Sequence, residues 1–360
     1  MAVARIQGVR VKGLACAVPE RTRSVEDDAR AFGQVEIDKI SKSTGILRRP
    51  TTRTLCASDL CQAAAERLLD RAGWERESID LLVMVTQTPD HRLPATSCVL
   101  HGKLGLGKGC ATFDVNLGCS GYVYGLWIAA QMVASGSVQR ALLLVGDTVS
   151  RTVSPEDRAV AVLFGDAGSA TLLQADPGAP PMVFTLGTDG TGYQHLIIPA
   201  GGFRQPSTPS SGERVQHPDG NARSDDDLYM AGAEVFTFTI REVPPLVRGL
   251  LSAAGWTADH VDAFLFHQAN EFMVRYLAKT LRLPGEKVVV AVMERGNTSG
   301  ASIPLAMVDT LAARLGAGPI HLALVGFGVG LSWAAAAITF GPMVVPEVVT
   351  VPEPESAAVP

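Results

Sequence analysis

Chemistry is offered first by a cysteine at a strand-to-helix turn. The segment Asp114-Val115-Asn116-Leu117-Gly118-Cys119-Ser120-Gly121 follows an apolar run of strand length and precedes a helical pattern that begins near Tyr122. The Cys119 sulfur then faces the free N–H groups and the positive end of the following helix. Surroundings of this kind lower a thiol pKa from about 8.5 into roughly the 3.5 to 7.5 range, and the thiolate is the nucleophile. Gly118 and Gly121 let a substrate approach the backbone closely. The chemistry is nucleophilic acyl transfer through a thioester; the plainer alternative is a buried structural cysteine beside a tight turn.

Two further residues occupy comparable turns. His267 ends the apolar run Val261 to Phe266, with Gln268-Ala269-Asn270 leading into a helix. A histidine at a strand end commonly has a structural hydrogen-bonding role, but a neutral imidazole there can donate from Nε2 to a developing oxyanion. Asn297 lies in Gly296-Asn297-Thr298-Ser299-Gly300-Ala301-Ser302-Ile303-Pro304, a turn leading into a helix. Taken alone it reads as a helix cap, yet its side-chain amide can also stabilise negative charge facing the thiol. Gly326-Phe327-Gly328-Val329-Gly330 follows a strand but runs into a second strand-like segment, so it is not a dinucleotide loop. Its use is to bring backbone N–H groups of Gly328, Val329 and Gly330 close to a bound carbonyl.

What positions these turns is a unit used twice. Ala72-Gly73-Trp74 is followed after four residues by Ile79-Asp80 and an apolar run, and Ala254-Gly255-Trp256 is followed after four residues by Val261-Asp262 and another, a spacing of 182 (72 to 254). Leu143-Leu144-Val145-Gly146 stands 180 residues before Ala323-Leu324-Val325-Gly326 (143 to 323), and the Cys119 turn stands about 180 before the Asn297 turn. Matched features at one spacing mean two copies of one unit. Short Val/Leu/Ile/Phe runs alternate with helical stretches such as Asp59 to Ala72, Tyr122 to Ser135 and Phe272 to Leu281. Continuous apolar strands between helices read as largely parallel sheets covered on both faces. The expectation is a duplicated α/β fold in five layers, αβαβα. Residues 1–180 would carry Cys119, residues 181–342 would carry His267 and Asn297, and 343–360 would form a Pro-rich tail. Ala200 to Asp227, rich in Pro, Ser, Gly and Asp, reads as a long surface loop.

Composition narrows the class. The chain has 360 residues, 47% hydrophobic and 19% charged, which suits a dense globular protein with two packed halves. A net charge of -5 without any Lys/Arg block argues against nucleic acid as a partner. No apolar run approaches the roughly 20 residues of a membrane span, and the start lacks a signal-type apolar core, so a cytoplasmic protein off the membrane is expected. The six cysteines lie in the first third of the chain without a Cys-x-x-Cys pair, which predicts no disulfide framework and no metal site.

The ordered set Gly-Cys-Ser-Gly-Tyr, Phe-Gly-Asp-Ala-Gly-Ser-Ala (164 to 170), His-Gln-Ala-Asn, Gly-Asn-Thr-Ser-Gly-Ala-Ser-Ile-Pro and Gly-Phe-Gly-Val-Gly-Leu-Ser-Trp resembles the ketoacyl-ACP synthase III family over about residues 5 to 341. That resemblance implies a thiolase-like fold, a homodimer, and decarboxylating condensation of an acyl-CoA with malonyl-ACP, without metal or redox cofactor. It implies that Cys119 takes the acyl group, and that His267 and Asn297 stabilise the enolate. Backbone N–H groups of Cys119 and of Gly328 to Gly330 would form the oxyanion hole. Leu93 matches an apolar residue that the partner subunit places at the acyl pocket, and Arg158 matches an arginine on the CoA nucleotide. The chain departs from the family at Lys39, where a stacking Trp is usual, at Ser43 and at Phe272, both usually Arg. Those changes suit a specialised relative or a carrier-protein donor in place of CoA. Two other readings are an acyltransferase that passes the Cys119 acyl group to an alcohol or amine, and a non-catalytic binding relative; retention of all three polar residues favours condensation.

Overall fold

A computed structural model describes residues 2–354. The chain opens with β1 (Ala2–Ile6) and β2 (Val9–Pro19), then β3 (Thr22–Ser24), α1 (Val25–Phe32), α2 (Gln34–Thr44), β4 (Arg48–Pro50) and α3 (Ala57–Ala72). β5 (Leu81–Val85), α4 (Thr96–Leu104), β6 (Ala111–Val115), α5 (Gly121–Ala134), β7 (Arg140–Asp147), α6 (Arg158–Ala161) and β8 (Ala167–Ala175) follow. Next come β9 (Met182–Thr188) and the two-residue strands β10 (Leu196–Ile197), β11 (Val215–Gln216), β12 (Ala222–Arg223) and β13 (Tyr229–Met230). The chain ends with α7 (Gly232–Ala254), β14 (Ala263–Phe266), α8 (Glu271–Leu281), α9 (Ser302–Ala317), β15 (Ile320–Gly328), β16 (Ser332–Phe340) and β17 (Val349–Val351).

Two sheets carry the architecture, one in the order β17-β2-β8-β7-β5-β6 and the other β1-β9-β16-β15-β14. The second sheet repeats the first strand for strand: β9-β16-β15-β14 runs as β2-β8-β7-β5 does, and an isolated parallel bridge from Phe264 to Val288 stands where β6 would. The sheets are mixed, which corrects the expectation of largely parallel ones. β5 pairs in parallel with β6 and β7, and β14 with β15, but β8 and β16 run antiparallel to both their neighbours. A strand buried on both faces is continuously apolar whichever way it points, so composition does not report its direction.

Helices α3 and α4 cover the outer face of the first sheet, and α7 and α8 that of the second. Between the sheets lie α5 and α9, each touching strands of both. The α5 sequence GYVYGLWIAAQMVA is apolar around its whole circumference, as a helix packed on two sides must be. In α9, Pro304 falls in the first turn, where the missing N–H has no intrahelical acceptor to lose. The central layer holds a contiguous core that includes Tyr122, Leu126, Leu143, Ile303, Met307 and Leu324. α5 starts directly after the Cys119 turn and α9 directly after the Asn297 turn, so the central layer aims both turns at one place.

The 200–227 segment is anchored as well as exposed: Arg223 pairs with Asp157 and Asp219, and Ser224 and Asn221 are buried. Most of the 343–360 tail is docked, since β17 lies parallel to β2, and the Glu353 carboxylate accepts from Thr52 Oγ1 and Arg53 N–H, both at 2.8 Å. Residues 355–360 of that tail lie outside the described residues.

Candidate active site

Cys119, His267 and Asn297 line one cavity of about 220 Å³. All three are nearly buried, at 7%, 2% and 6% exposure, so a substrate must enter to meet them. Cys119 sits just before α5, as expected. Opposite it is the end of β15, where a Cβ on Gly328 would lie 2.7 Å from Cys119 Cβ and 3.0 Å from Sγ. Only glycine fits there. At Gly326 a Cβ would meet Ser120 Cα at 2.8 Å, so β15 and the Cys119 turn touch backbone to backbone.

His267 follows β14, its N–H donating to the Val325 carbonyl at 2.7 Å. The imidazole Nδ1 lies 2.7 Å from Ser302 Oγ, and the Phe327 ring stands edge-on to it at 5.6 Å between centroids. Gln268 holds the turn from below, donating to the Phe266 carbonyl and accepting from Ala291 N–H, both at 2.7 Å. Asn297 is strapped to the segment between α6 and β8, because its N–H donates to the Leu163 carbonyl at 2.9 Å and its carbonyl accepts from Gly165 N–H at 3.0 Å. Its Oδ1 accepts from Ser299 N–H at 2.9 Å in an Asx turn and caps neither following helix, whose first residues are preceded by Thr298 and Ala301; the amide Nδ2 is left for the cavity. Ser299 takes a left-handed φ of 50°, unusual for a residue with a side chain.

Burial governs the electrostatics. Desolvation first, and the nearby Asp147 second, push the Cys119 thiol up to about 12, while the Ser299 hydroxyl and the N–H groups of Cys119 and Val329 pull the other way. The expectation of a lowered thiol pKa is therefore overturned for the resting protein. A helix N-terminus contributes up to about 2 kcal/mol even in favourable, partly buried geometry, too little to offset removal from water. His267 is pulled down to about 3 by burial, opposed by the Ser299 backbone, so its ring is neutral at pH 7. Asp147, fully buried at the end of β7, is raised by the same cause; its Oδ1 accepts from Gln87 N–H at 2.7 Å and Thr86 Oγ1 at 3.1 Å. A neutral imidazole, a side-chain amide and a cluster of N–H groups around a thiol can hold a thioester and stabilise negative oxygen, with no fixed positive charge to do it.

The residues expected to bind substrate are placed less uniformly. Gly328 lines the cavity, and Val329 turns its N–H toward the sulfur. Gly330, with φ of 135°, lies beyond the cavity lining, at the tip of the β15–β16 hairpin. Leu93 is 80% exposed on the chain surface and does not line its own chain's cavity. Arg158 is held by its own chain, with Nε 3.4 Å from Glu36 and its other nitrogens donating to the Gly220 and Asp219 carbonyls. Phe272 stands at the cavity with Phe236, their rings stacked at 5.8 Å. Sequence reading passed over Asp147, Ser299 and Ser302. Ser299 and Ser302 sit in the same turn motif as Asn297, the only signal they carried.

Two facing copies of a mixed sheet, with a buried cysteine on one and histidine and asparagine on the other, define a thiolase-like acyltransferase. Profiles of the family described as 3-Oxoacyl-[acyl-carrier-protein (ACP)] synthase III match residues 113–190, and its C-terminal part matches 251–340. A beta-ketoacyl-[acyl-carrier-protein] synthase III of Rhodopirellula baltica is 37% identical over 352 residues, covering 92% of this chain and 98% of that protein. One of Streptomyces coelicolor is 38% identical over 343 residues, covering 92% and 94%. The crystal structure of a 3-oxoacyl-(acyl-carrier protein) synthase from Burkholderia xenovorans superposes with a TM-score of 0.92 at 42% identity, over 97% of this chain and 99% of that one. The chain belongs to the 3-oxoacyl-[acyl-carrier-protein] synthase III family.

Proposed function

We propose that this enzyme carries out the type III beta-ketoacyl-ACP synthase reaction with Cys119, His267 and Asn297 as its reaction centre. The observation that carries the reading is the meeting of these three side chains, from both sheets, in one buried cavity. In the first half-reaction Cys119 sulfur bonds to the acyl carbon of a CoA or carrier-protein thioester, and the donor thiol leaves with the proton that Cys119 gives up. The N–H groups of Cys119 and of the Gly328–Gly330 turn stabilise the oxyanion formed on the way. In the second, malonyl-ACP loses carbon dioxide and the electron pair of the broken bond passes into an enolate. His267 and Asn297 donate hydrogen bonds to its oxygen. The enolate carbon then attacks the acyl-Cys119 carbonyl, and Cys119 leaves as the 3-oxoacyl-ACP product forms. Neither half-reaction changes the overall oxidation level, so no redox cofactor is needed, and the hydrogen-bond donors take the charge-stabilising role a metal would otherwise fill.

The partners we assign are an acyl carrier protein and a second copy of the chain. Edge strand β6 has β5 on one side and no strand on the other among the described residues, and its own Phe113 is only half-buried. A second copy across that edge would cover it and deliver its Leu93 toward the acyl pocket. No helix among the described residues is long and apolar enough to cross a membrane, and we place the enzyme in the cytoplasm. The test of the assigned roles is Asn297→Ala: Cys119 should still take up an acyl group while carbon dioxide release from malonyl-ACP falls by about 10²-fold or more. Wild-type release by that variant would remove Asn297 from the reaction centre.

A further inference from the structure

The hydrogen bond between His267 Nδ1 and Ser302 Oγ, at 2.7 Å, joins residues 35 positions apart, and both are 2% exposed. What it does depends on where three hydrogens sit. A serine hydroxyl has one hydrogen to give and accepts at its lone pairs, and a neutral imidazole has one N–H and one bare nitrogen. Ser302 Oγ already accepts the backbone N–H of Gln268, at 3.4 Å. The Ser302 backbone N–H is satisfied separately, by the Ser299 carbonyl, and among the described residues the hydroxyl has no acceptor other than Nδ1. The arrangement that uses every donor once has the Ser302 hydroxyl hydrogen pointing at Nδ1. The ring proton is then on Nε2, the nitrogen away from α9.

We propose that Ser302 is a positioning residue that fixes His267 as the Nε2–H tautomer, so that the imidazole presents a donor, not a lone pair, to the oxygen in the cavity. The proposal rests on His267 acting as the hydrogen-bond donor of the condensation. It adds a cause for the ring's donor polarity. α9 is anchored in the central layer, with Ile303, Leu305 and Ala306 each 1% exposed, so the serine at its first position is held to the core and not to a movable loop. The edge-on Phe327 ring closes the other side, at 85° to the imidazole. Ser302 Oγ is the hydrogen-bond partner of Nδ1. Without its hydroxyl hydrogen nothing holds Nδ1 bare, and the ring proton is free to move to it and leave Nε2 bare.

The test reads the tautomer directly. In protein carrying ¹⁵N-labelled histidine, long-range ¹H–¹⁵N correlation at pH 7.5 separates Nε2–H from Nδ1–H rings, and His267→Gln assigns the signal. Wild type should show His267 as Nε2–H; an Nδ1–H ring overturns the proposal whether or not the enzyme condenses malonyl-ACP. Ser302→Ala should move the signal toward Nδ1–H and slow carbon dioxide release by about 10²-fold, with Cys119 acylation changed less than threefold. Ser302→Thr, which keeps the hydroxyl, should restore both. A Ser302→Ala protein that keeps a pure Nε2–H signal and the wild-type release rate would overturn it. Should Ser302→Ala fail to fold, the wild-type spectrum still decides. Loss of release in wild type with an Nε2–H ring would instead count against the condensation reading alone.

Discussion

Replacing Gly328 by alanine puts a methyl group in place of a hydrogen at a site that has no room for it. The new Cβ would lie 2.7 Å from Cys119 Cβ and 3.0 Å from Sγ. Carbon atoms rest against one another at about 3.5–4.0 Å, so relief requires a movement on the order of 1 Å. β15 cannot supply it by sliding away, since it is paired with β16 along its whole length and with β14 on the other edge. Nor can the Cys119 turn retreat freely, because the start of α5 is already pressed on β5, where a Cβ on Gly121 would lie 2.7 Å from Val85 Cγ1. The sulfur therefore moves. A misplacement of about 1 Å at a reacting group costs on the order of 10²-fold, and overpacking costs about 1–3 kcal/mol of stability. The assay is single-turnover acylation of Cys119 followed by intact-protein mass spectrometry, with denaturant unfolding alongside. Gly102→Ala is the control, since its methyl would meet nothing within 4 Å. Gly328→Ala should acylate about 10²-fold more slowly while still folding; acylation at the wild-type rate would refute the account of this contact.

Three further outcomes are expected. His267 is held at about 3 in the folded protein against about 6.5 unfolded, so below pH 6.5 the unfolded chain binds a proton that the native one refuses. Its contribution is whole above 6.5 and is lost as pH falls toward 3, about 2 kcal/mol of it by pH 5. Urea unfolding of His267→Gln should show a shallower loss between pH 7.5 and 5 than wild type, and equal slopes would contradict the burial of this ring. Asp28 and Arg49 form a bidentate ion pair at 2.7 and 2.9 Å, each side chain 1% exposed, and Arg49 packs beneath Gly296 in the Asn297 turn. Asp28→Ala leaves that guanidinium buried without its partner and should lower stability by about 3–5 kcal/mol, read as a drop in the urea midpoint; an unchanged midpoint would contradict it. Leu93→Ala should lengthen the acyl chains accepted, compared across a series of thioesters. The same profile as wild type would show that no partner subunit brings this residue to the pocket.

Cys119, His267 and Asn297 were legible because polar residues with chemistry stood at the ends of strand-length apolar runs, and because the spacing near 180 placed those ends in matching turns. The same repeat made the duplication of the fold readable, though not the strand order within each sheet. Strand direction was not legible either. Val183 to Leu186 in β9 and Leu322 to Val325 in β15 read alike, although their strands run antiparallel and parallel to different neighbours. The thiol was misjudged for a related reason: the helix after Cys119 is visible in sequence, but the covering by Gly328 from β15, some two hundred residues away, is not. Ser302 escaped notice because its importance lies in a contact with His267 that only the packing of α9 against the end of β14 creates.

The central claim is that an acyl group carried by Cys119 is discharged by a decarboxylated malonyl unit. Intact-protein mass spectrometry after incubation with a series of acyl-CoA and acyl-carrier thioesters, then with carboxyl-labelled malonyl-ACP, tests it in one experiment. An adduct on Cys119, absent from Cys119→Ala, should disappear with release of one labelled carbon dioxide for each 3-oxoacyl-ACP formed. An adduct that malonyl-ACP leaves in place, and that an alcohol or amine removes, would contradict the claim.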